Sequence, residues 1–234
     1  DREAIVAYAV SRSLEWSMLA RVFAALKELK NMKELTVDAA PDGYDVFADF
    51  AQGADSKWFR DGLAWGQPTS AGTFFPDPDD AARLRLAGAG WMHSAALSTR
   101  LQGALRSPTF EVTRDYAHVL VAGRDTRINA VVDNFTIIKN PIWGGLKKEV
   151  KSGEAHWLTF DLRMVKGHRA WLEFLDQTSS DPAGKGAYAK DGWIALRQVL
   201  FSDQPGAPRI HTISRLLEKS AKFDEERAKQ VGAE

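Results

Sequence analysis

The fold is decided by two neighbouring runs, His118-Val119-Leu120-Val121-Ala122 and Thr126 to Ile138, which the turn Gly123-Arg124-Asp125 separates; Asp133-Asn134 breaks the second run. Other short apolar runs flank them, at residues 109–113, 157–160, 170–175 and 193–201. Strands spaced roughly 8–12 residues apart with turn residues between them are typical of sandwiches and barrels. No helix of convincing length interrupts this region, which argues against strand–helix–strand units. We therefore predict an antiparallel β-sandwich.

Upstream of these runs the sequence predicts further β structure. Residues 45–50 alternate, with Val46, Ala48 and Phe50 on one face, and we expect them to form the first strand of the β domain. Residues 51–80 are rich in Gly, Pro and aromatic side chains, which predicts a long loop with one or two short strands inside it. Residues 84–86 alternate in one more short strand.

Both ends of the chain are predicted to be helical. Residues 1–35 contain many good helix formers and no Gly or Pro, and residues 209–231 have an apolar side and a charged side after a linker at 202–208. The predicted organisation is a helical segment at 1–40, a β domain at 41–204, and a linker with a helix at 205–234.

Composition excludes several functions. The 234 residues contain 31 Lys and Arg against 31 Asp and Glu, so no field of one sign attracts nucleic acid or an anionic membrane. No run of 18 apolar residues could span a bilayer. Because there is no cysteine, disulfides, thiolate metal sites, cysteine nucleophiles and covalently attached haem are excluded from this segment.

A resemblance to a known family rests on six pieces of sequence that occur in a fixed order. They are residues 103–110 (GALRSPTF), 116–123 (YAHVLVAG), 127–135 (RINAVVDNF), 141–145 (PIWGG), 157–161 with 166–170 (WLTFD, KGHRA), and 191–195 ahead of 201–203 (DGWIA, FSD). Together they resemble a family of galactose-binding-like jelly-roll modules over about residues 45–203. Relatives of this kind lie beside fructan-hydrolase domains and inside large planctomycete proteins, and the planctomycete version looks closest.

The resemblance implies a fold and a context. The expected fold is mostly β, an antiparallel jelly-roll sandwich with N- and C-terminal α-helices. The planctomycete relatives combine cytochrome c domains with two domains of unknown function, and this module lies between those two. The terminal helices would then belong to flanking domains, and the parent protein would be extracytoplasmic, either periplasmic or secreted. Many relatives bind carbohydrate without catalysis.

The resemblance also implies a structural calcium site between an early strand and the last strand. Asp45 or Asp49 could supply early oxygen ligands. The chain departs from the family pattern in the last strand, where residues 194–199 read Ile-Ala-Leu-Arg-Gln-Val in place of a stretch with an Asp.

Tryptophans are the main candidates for a binding site. The chain has eight, and modules that hold sugars stack the sugar ring on exposed aromatic rings while polar neighbours bind the hydroxyl groups. Tryptophans at predicted strand ends or in loops, together with polar residues beside them, form the candidate set: Trp91, Trp143, Trp157, Trp193, Arg127, Asn129 and Asn134. Trp143 stands out because Pro141 and Gly144-Gly145 place it in a loop. The alternative for each ring is a place in the core.

No acidic residue lies in a recognisable catalytic setting, although a pair of carboxylates for glycoside hydrolysis stays an open alternative at this point. His93 and Ser94 are adjacent, so in a strand they point to opposite faces and cannot act as base and nucleophile. The five histidines show no metal-ligand spacing. We therefore expect a non-catalytic module that binds a polysaccharide or oligosaccharide. The alternative is a structural spacer that docks the neighbouring domains and has no small-molecule ligand.

Overall fold

The computed structural model describes residues 2–13, 19, 40–69, 73–76, 83–87, 90–135, 144–176, 192–208 and 218–222. Within these residues the structure defines one α-helix, α1 (Arg2–Ser11). Its strands are β1 (Asp45–Asp49), β2 (Phe59–Gly62), β3 (Thr73–Pro76), β4 (Arg83–Ala87), β5 (Met92–His93), β6 (Gly103–Arg106), β7 (Phe110–Glu111), β8 (Tyr116–Arg124), β9 (Thr126–Val132), β10 (Lys147–Val150), β11 (His156–Asp161), β12 (Arg169–Asp176), β13 (Trp193–Ser202) and β14 (Glu218–Lys222).

Two antiparallel sheets account for most of these strands, which confirms the prediction of a mostly β, sandwich-like fold. Sheet 1 has the order β1-β13-β8-β11, with β5 also paired to β13. Sheet 2 has the order β10-β9-β12-β6-β2, with β7 also paired to β12. The strands that the alternating runs predict at 118–122, 157–160, 170–175 and 193–201 are all present.

The core lies between the two sheets and follows from the alternation of each strand. In β8 the core side chains are Ala117, Val119 and Val121, and in β12 they are Ala170, Leu172 and Phe174. Aromatic rings fill one part of this core: Trp58 packs against Phe47, Phe50 and Phe174, with ring centroids 5.0–6.3 Å apart. Burial of these rings and branched side chains is the main term that stabilises the sandwich.

The first strand was predicted in the right place, and the predicted buried face is right for Ala48 and Phe50 but wrong for Val46. Val46 is 51% exposed, whereas Phe47 packs against the core. The reason is a β-bulge between Val46 and Ala48, opposite Leu200 and Val199, which breaks the alternation after Val46. Only Ala48 and Phe50 of the predicted trio are buried.

The predicted terminal helices are not supported. Helix α1 ends at Ser11, and Ser13 has a left-handed backbone with φ 53°, so a single helix across 1–35 is wrong at this point. Residues 218–222, predicted to be helical, form β14 and pair antiparallel with β4, which in turn pairs with β3. Pairing with a distant strand outweighs the helix propensity of Glu-Lys-Ser-Ala-Lys. The remaining parts of both predicted helices lie outside the described residues.

In the part of the chain that the structure describes, no helix is both long and apolar enough to cross a membrane.

Candidate functional site

The outer face of sheet 2 carries a line of polar and aromatic side chains that crosses five strands. Lys147 of β10 is opposite Asn129 of β9, Asn129 is opposite Glu173 of β12, Glu173 is opposite Arg106 of β6, and Arg106 is opposite Phe59 of β2. We call these five residues the transverse row. Because neighbouring strands lie about 4.8 Å apart, the row extends about 19 Å across the sheet.

Alternation along the strands places this row away from the core. In β9 the neighbours Ile128 and Ala130 point into the core, so Asn129 points out. In β12 Leu172 and Phe174 point into the core, so Glu173 points out, and so does Trp171 two residues earlier.

The centre of the row is a hydrogen-bonded network around Glu173. Arg106 Nε donates a hydrogen bond to Glu173 Oε1 at 2.9 Å, and Asn129 Nδ2 donates to Glu173 Oε2 at 3.3 Å. Glu173 is 8% exposed, whereas the Arg106 side chain is 42% exposed. The buried carboxylate therefore holds the partly exposed guanidinium in a fixed position.

Two aromatic rings flank this network. The Arg106 guanidinium lies 5.9 Å from the centroid of the half-buried Trp171 ring. Trp171 Nε1 is buried and has no hydrogen-bond partner among the described residues. At the other end of the row Phe59 is 60% exposed, which is high for a phenyl ring in a strand. The surface thus combines apolar rings with fixed hydrogen-bond donors.

A second line of side chains runs beside the first on the same face. Arg127 of β9 is opposite Glu149 of β10, and both are at least partly exposed. Lys151 lies 2.6 Å from Glu149, and this contact lowers the pKa of the Glu149 carboxyl. We use the name open face for the transverse row together with Trp171, Arg127 and Glu149; Asn129 and Glu173 at its centre are buried, and its other members are at least partly exposed. Of the sequence-based candidates, Arg127 and Asn129 lie on this face.

Trp91 and Trp193 lie elsewhere, and both are buried. They belong to a second apolar cluster on the outer side of sheet 1, together with Leu120, Ala122 and Ala195. The short strand β5 pairs with β13 beside this cluster, and the residue after it is hydrogen-bonded to the same strand: Ser94 N donates to Ile194 O, and Ile194 N donates to Ser94 Oγ, both at 3.0 Å. Trp193 is 0% exposed and stacks on His93 with ring centroids 4.9 Å apart. Neither tryptophan offers a ring face to a ligand.

The other candidates are distributed as follows. Trp157 is partly buried against this same apolar cluster. Asn134 is exposed in the left-handed turn that follows β9, with φ 64°, beyond the end of the transverse row. Trp143 lies outside the described residues, so its role stays a prediction.

The residues proposed for calcium do not fit the ion. Asp45 and Asp49 are four positions apart in β1, so their side chains start about 13 Å apart. Asp45 Oδ2 accepts a hydrogen bond from Arg114 Nε at 2.7 Å. The carboxylate of Asp49 is buried and accepts hydrogen bonds from Arg197, Gln198 and the backbone N–H of residue 51.

The strand geometry explains this arrangement. Arg197 lies at a β-bulge of β13, between Leu196 and Gln198, where the pairing with β8 shifts register. A cationic guanidinium therefore takes the place beside Asp49 that the resemblance assigns to a metal. Among the described residues no three His, Asp or Glu side chains form a group that could hold a metal ion.

Several open-face residues were missed by the sequence analysis, namely Trp171, Glu173, Arg106, Phe59 and Lys147. A signal for the first two was present. In 169–176 (RAWLEFLD) the small and apolar residues at 170, 172 and 174 alternate with Trp and Glu at 171 and 173, which predicts that the latter two share the solvent side. No comparable alternation marks the two edge strands β2 and β10.

Comparison with known proteins gives weak structural likenesses. A mutant of the family 29 carbohydrate-binding module CBM29-2 has a TM-score of 0.36 and 13% identity over 68% of this chain and 85% of that chain. TmCBM61 in complex with β-1,4-galactotriose has a TM-score of 0.34 and 14% identity over 66% of this chain and 94% of that chain. The glycoside hydrolase domain of Endo-D from Streptococcus pneumoniae R6 has a TM-score of 0.33 and 16% identity over 65% of this chain and 22% of that chain.

At these values the likenesses carry no functional assignment. Neither a protein-family model nor a curated protein matches the chain.

Proposed function

We propose that this chain is a non-catalytic carbohydrate-binding module and that the open face is its binding surface. The observation that carries the proposal is the transverse row. It combines an exposed ring, a fixed guanidinium beside a tryptophan, and amide and ammonium groups on one side of a rigid sheet. Sugar rings are amphipathic, with apolar C–H faces that pack on aromatic rings and hydroxyl groups that bind to such polar groups.

The carboxylates of this face support binding and not catalysis. Hydrolysis of a glycosidic bond requires a carboxylic acid with a raised pKa that can donate a proton to the leaving group. Glu173 is held by Arg106 and Asn129 as a hydrogen-bond acceptor. The Lys151 ammonium keeps the pKa of Glu149 low, so this residue is ionised when the sugar binds.

The wider context of the proposal rests on the sequence resemblance alone. It places the module in a large extracytoplasmic protein of planctomycete type, between two further domains, with a polysaccharide as its partner.

The test is calorimetric titration of the purified domain against a panel of oligosaccharides that includes cellulohexaose and β-1,4-galactotriose. Phe59→Ala and Trp171→Ala are expected to weaken saturable binding about fivefold or more, because stacking on an aromatic ring contributes roughly 1 kcal/mol or more. The matched control is Phe135→Ala. The exposed fraction of Phe135, 64%, is similar to that of Phe59, but Phe135 lies in the turn after β9. Trp143→Ala tests the sequence-based prediction in the same assay.

A flat response of the wild-type domain to the whole panel would contradict the proposal and favour the spacer function. Equal losses in Phe59→Ala and Phe135→Ala would contradict the location of the site.

A further inference from the structure

Charge is unevenly distributed over the open face. At its centre the guanidinium of Arg106 is balanced by Glu173. At the edge formed by β9 and β10, three cations (Arg127, Lys147 and Lys151) surround a single carboxylate, Glu149. Lys151 forms the ion pair with this carboxylate, at 2.6 Å. Within the described residues neither Arg127 nor Lys147 has an ion-pair partner of its own. This edge therefore has an excess of positive charge in a chain whose net charge is zero.

The register brings these two cations together. Lys147 is opposite Asn129, and Arg127 is two positions before Asn129 on the same strand and the same face. Residues in this diagonal relation start about 7 Å apart, and long side chains can meet over the space between them. The two terminal groups can therefore approach one small anion from two sides, with Asn129 beside them.

The two cations differ in a way that defines the anion. A guanidinium presents paired N–H donors that match the two oxygens of a carboxylate, whereas an ammonium acts as a point charge. Arg127 is partly buried in the sheet, so its position is better defined than that of a fully exposed side chain. Both cations lie at one end of the transverse row, and Phe59 lies at the other.

We propose that the saccharide bound by the open face is acidic: it carries uronic acid units, and a sugar carboxylate binds between Arg127 and Lys147 while neighbouring sugar rings pack along the transverse row. This inference rests on the proposed carbohydrate-binding function. It narrows the ligand from saccharides in general to those with carboxylate groups.

The experiment compares pairs of ligands that differ in charge alone. Cello-oligosaccharides are titrated beside their C6-oxidised, carboxylate-bearing forms, and oligogalacturonate is titrated beside its methyl ester. Each titration is repeated with Arg127→Gln and with Lys147→Gln. Arg12→Gln removes the same charge from the end of α1 and is the matched control. Trp171→Ala reports on sugar binding that does not depend on charge.

The expected result is that the acidic member of at least one pair binds more tightly than its neutral partner, by on the order of tenfold for one charge-assisted contact. Arg127→Gln removes this preference, Lys147→Gln reduces it, and Arg12→Gln leaves it unchanged. The preference should also weaken as salt concentration rises, because a surface ion pair is screened.

Two other outcomes distinguish failure of the acidic-ligand inference from failure of the proposed function. Equal binding of neutral and acidic partners, unaffected by Arg127→Gln but lost in Trp171→Ala, overturns the acidic-ligand inference and leaves the proposed function standing. Absence of binding to every saccharide in the wild-type domain overturns the proposed function and the inference with it.

Discussion

Replacing Asp176 with Asn is expected to change how the stability of the domain depends on pH. Asp176 ends β12, and its side chain is buried, with Oδ2 lacking any hydrogen-bond partner among the described residues. Burial raises the pKa of this carboxyl from 3.8 to about 7, and a hydrogen bond from Ser94 offsets the effect only in part.

Whether the free energy of unfolding rises or falls with pH depends on which state, folded or unfolded, binds the proton more tightly. Between pH 3.8 and about 7 the folded protein keeps Asp176 protonated while the unfolded chain ionises it, so the free energy of unfolding falls as pH rises through this window. At about 1.4 kcal/mol per pH unit, the total loss is about 4 kcal/mol. Above the folded pKa both states are ionised and the loss is complete. Relaxation of the buried site would make the measured value smaller.

Urea unfolding of wild type and Asp176→Asn at pH 4.5 and pH 8 measures this effect. The neutral amide resembles the protonated acid, so the variant should gain stability relative to wild type by several kcal/mol between the two pH values. Subtracting the free energy of unfolding of wild type from that of the variant at each pH removes the contributions of other titrating groups. Asp161→Asn is the control: the hydrogen bond from Arg163 lowers the pKa of the Asp161 carboxyl, so this group is ionised in both states at both pH values and the wild-type-to-variant difference should stay nearly constant. A wild-type-to-variant difference that is the same at both pH values would refute the reasoning.

Further predictions concern the Asp49–Arg197 pair and His118. Arg197→Met leaves the buried Asp49 carboxylate without its cation, and urea unfolding should show a loss of about 3–5 kcal/mol, much of which Asp49→Asn in the same chain should restore. A loss below about 1 kcal/mol would show that the pair does not anchor β1 to β13. Because this guanidinium occupies the place considered for calcium, the melting temperature should not change on addition of calcium or EDTA, and a rise with calcium would contradict this reading. Burial lowers the pKa of His118, so its ring should titrate below 6.5 by NMR and the folded state should lose stability as pH falls below that value. A midpoint at or above 6.5 would contradict the buried placement.

The strands near the centre of each sheet could be predicted from sequence because their pattern is local. Residues 116–124 and 169–176 alternate between core and outer side chains within a single strand. The edge strand at 147–150 (Lys-Lys-Glu-Val) has too little apolar pattern to be recognised. The strand at 218–222 has a composition that favours helix, and it becomes a strand through pairing with residues 83–87, more than 130 positions away in sequence. That pairing leaves no mark in either segment alone.

The candidate site was predicted less well, for a related reason. Whether a tryptophan at a strand end is exposed depends on what covers that face of the sheet. The Trp193 ring is stacked on His93 of the neighbouring strand β5, next to the hydrogen bonds between Ser94 and Ile194. This contact joins positions 100 residues apart. The sequence could place Arg127 on an outer face by alternation, but it could not tell on which outer face side chains such as Phe59 and Arg106 stay exposed.

The two outer faces therefore explain where a ligand can bind. The outer side of sheet 1 is closed at one end by the tryptophan cluster, and at the other end the His118 ring is bonded to Thr159, Ser202 and the Gln204 carbonyl, all within 3.2 Å. The polar groups around His118 on this side are therefore hydrogen-bonded to one another. On sheet 2 the polar groups are only partly used among the described residues, where the partly exposed Arg106 side chain hydrogen-bonds to Glu173 alone. A face whose hydrogen bonds are incomplete and whose aromatic ring is exposed gains most from a ligand that supplies both hydroxyl groups and an apolar surface. The same reasoning predicts that substitutions on the outer side of sheet 1 alter stability, whereas those on the open face alter binding.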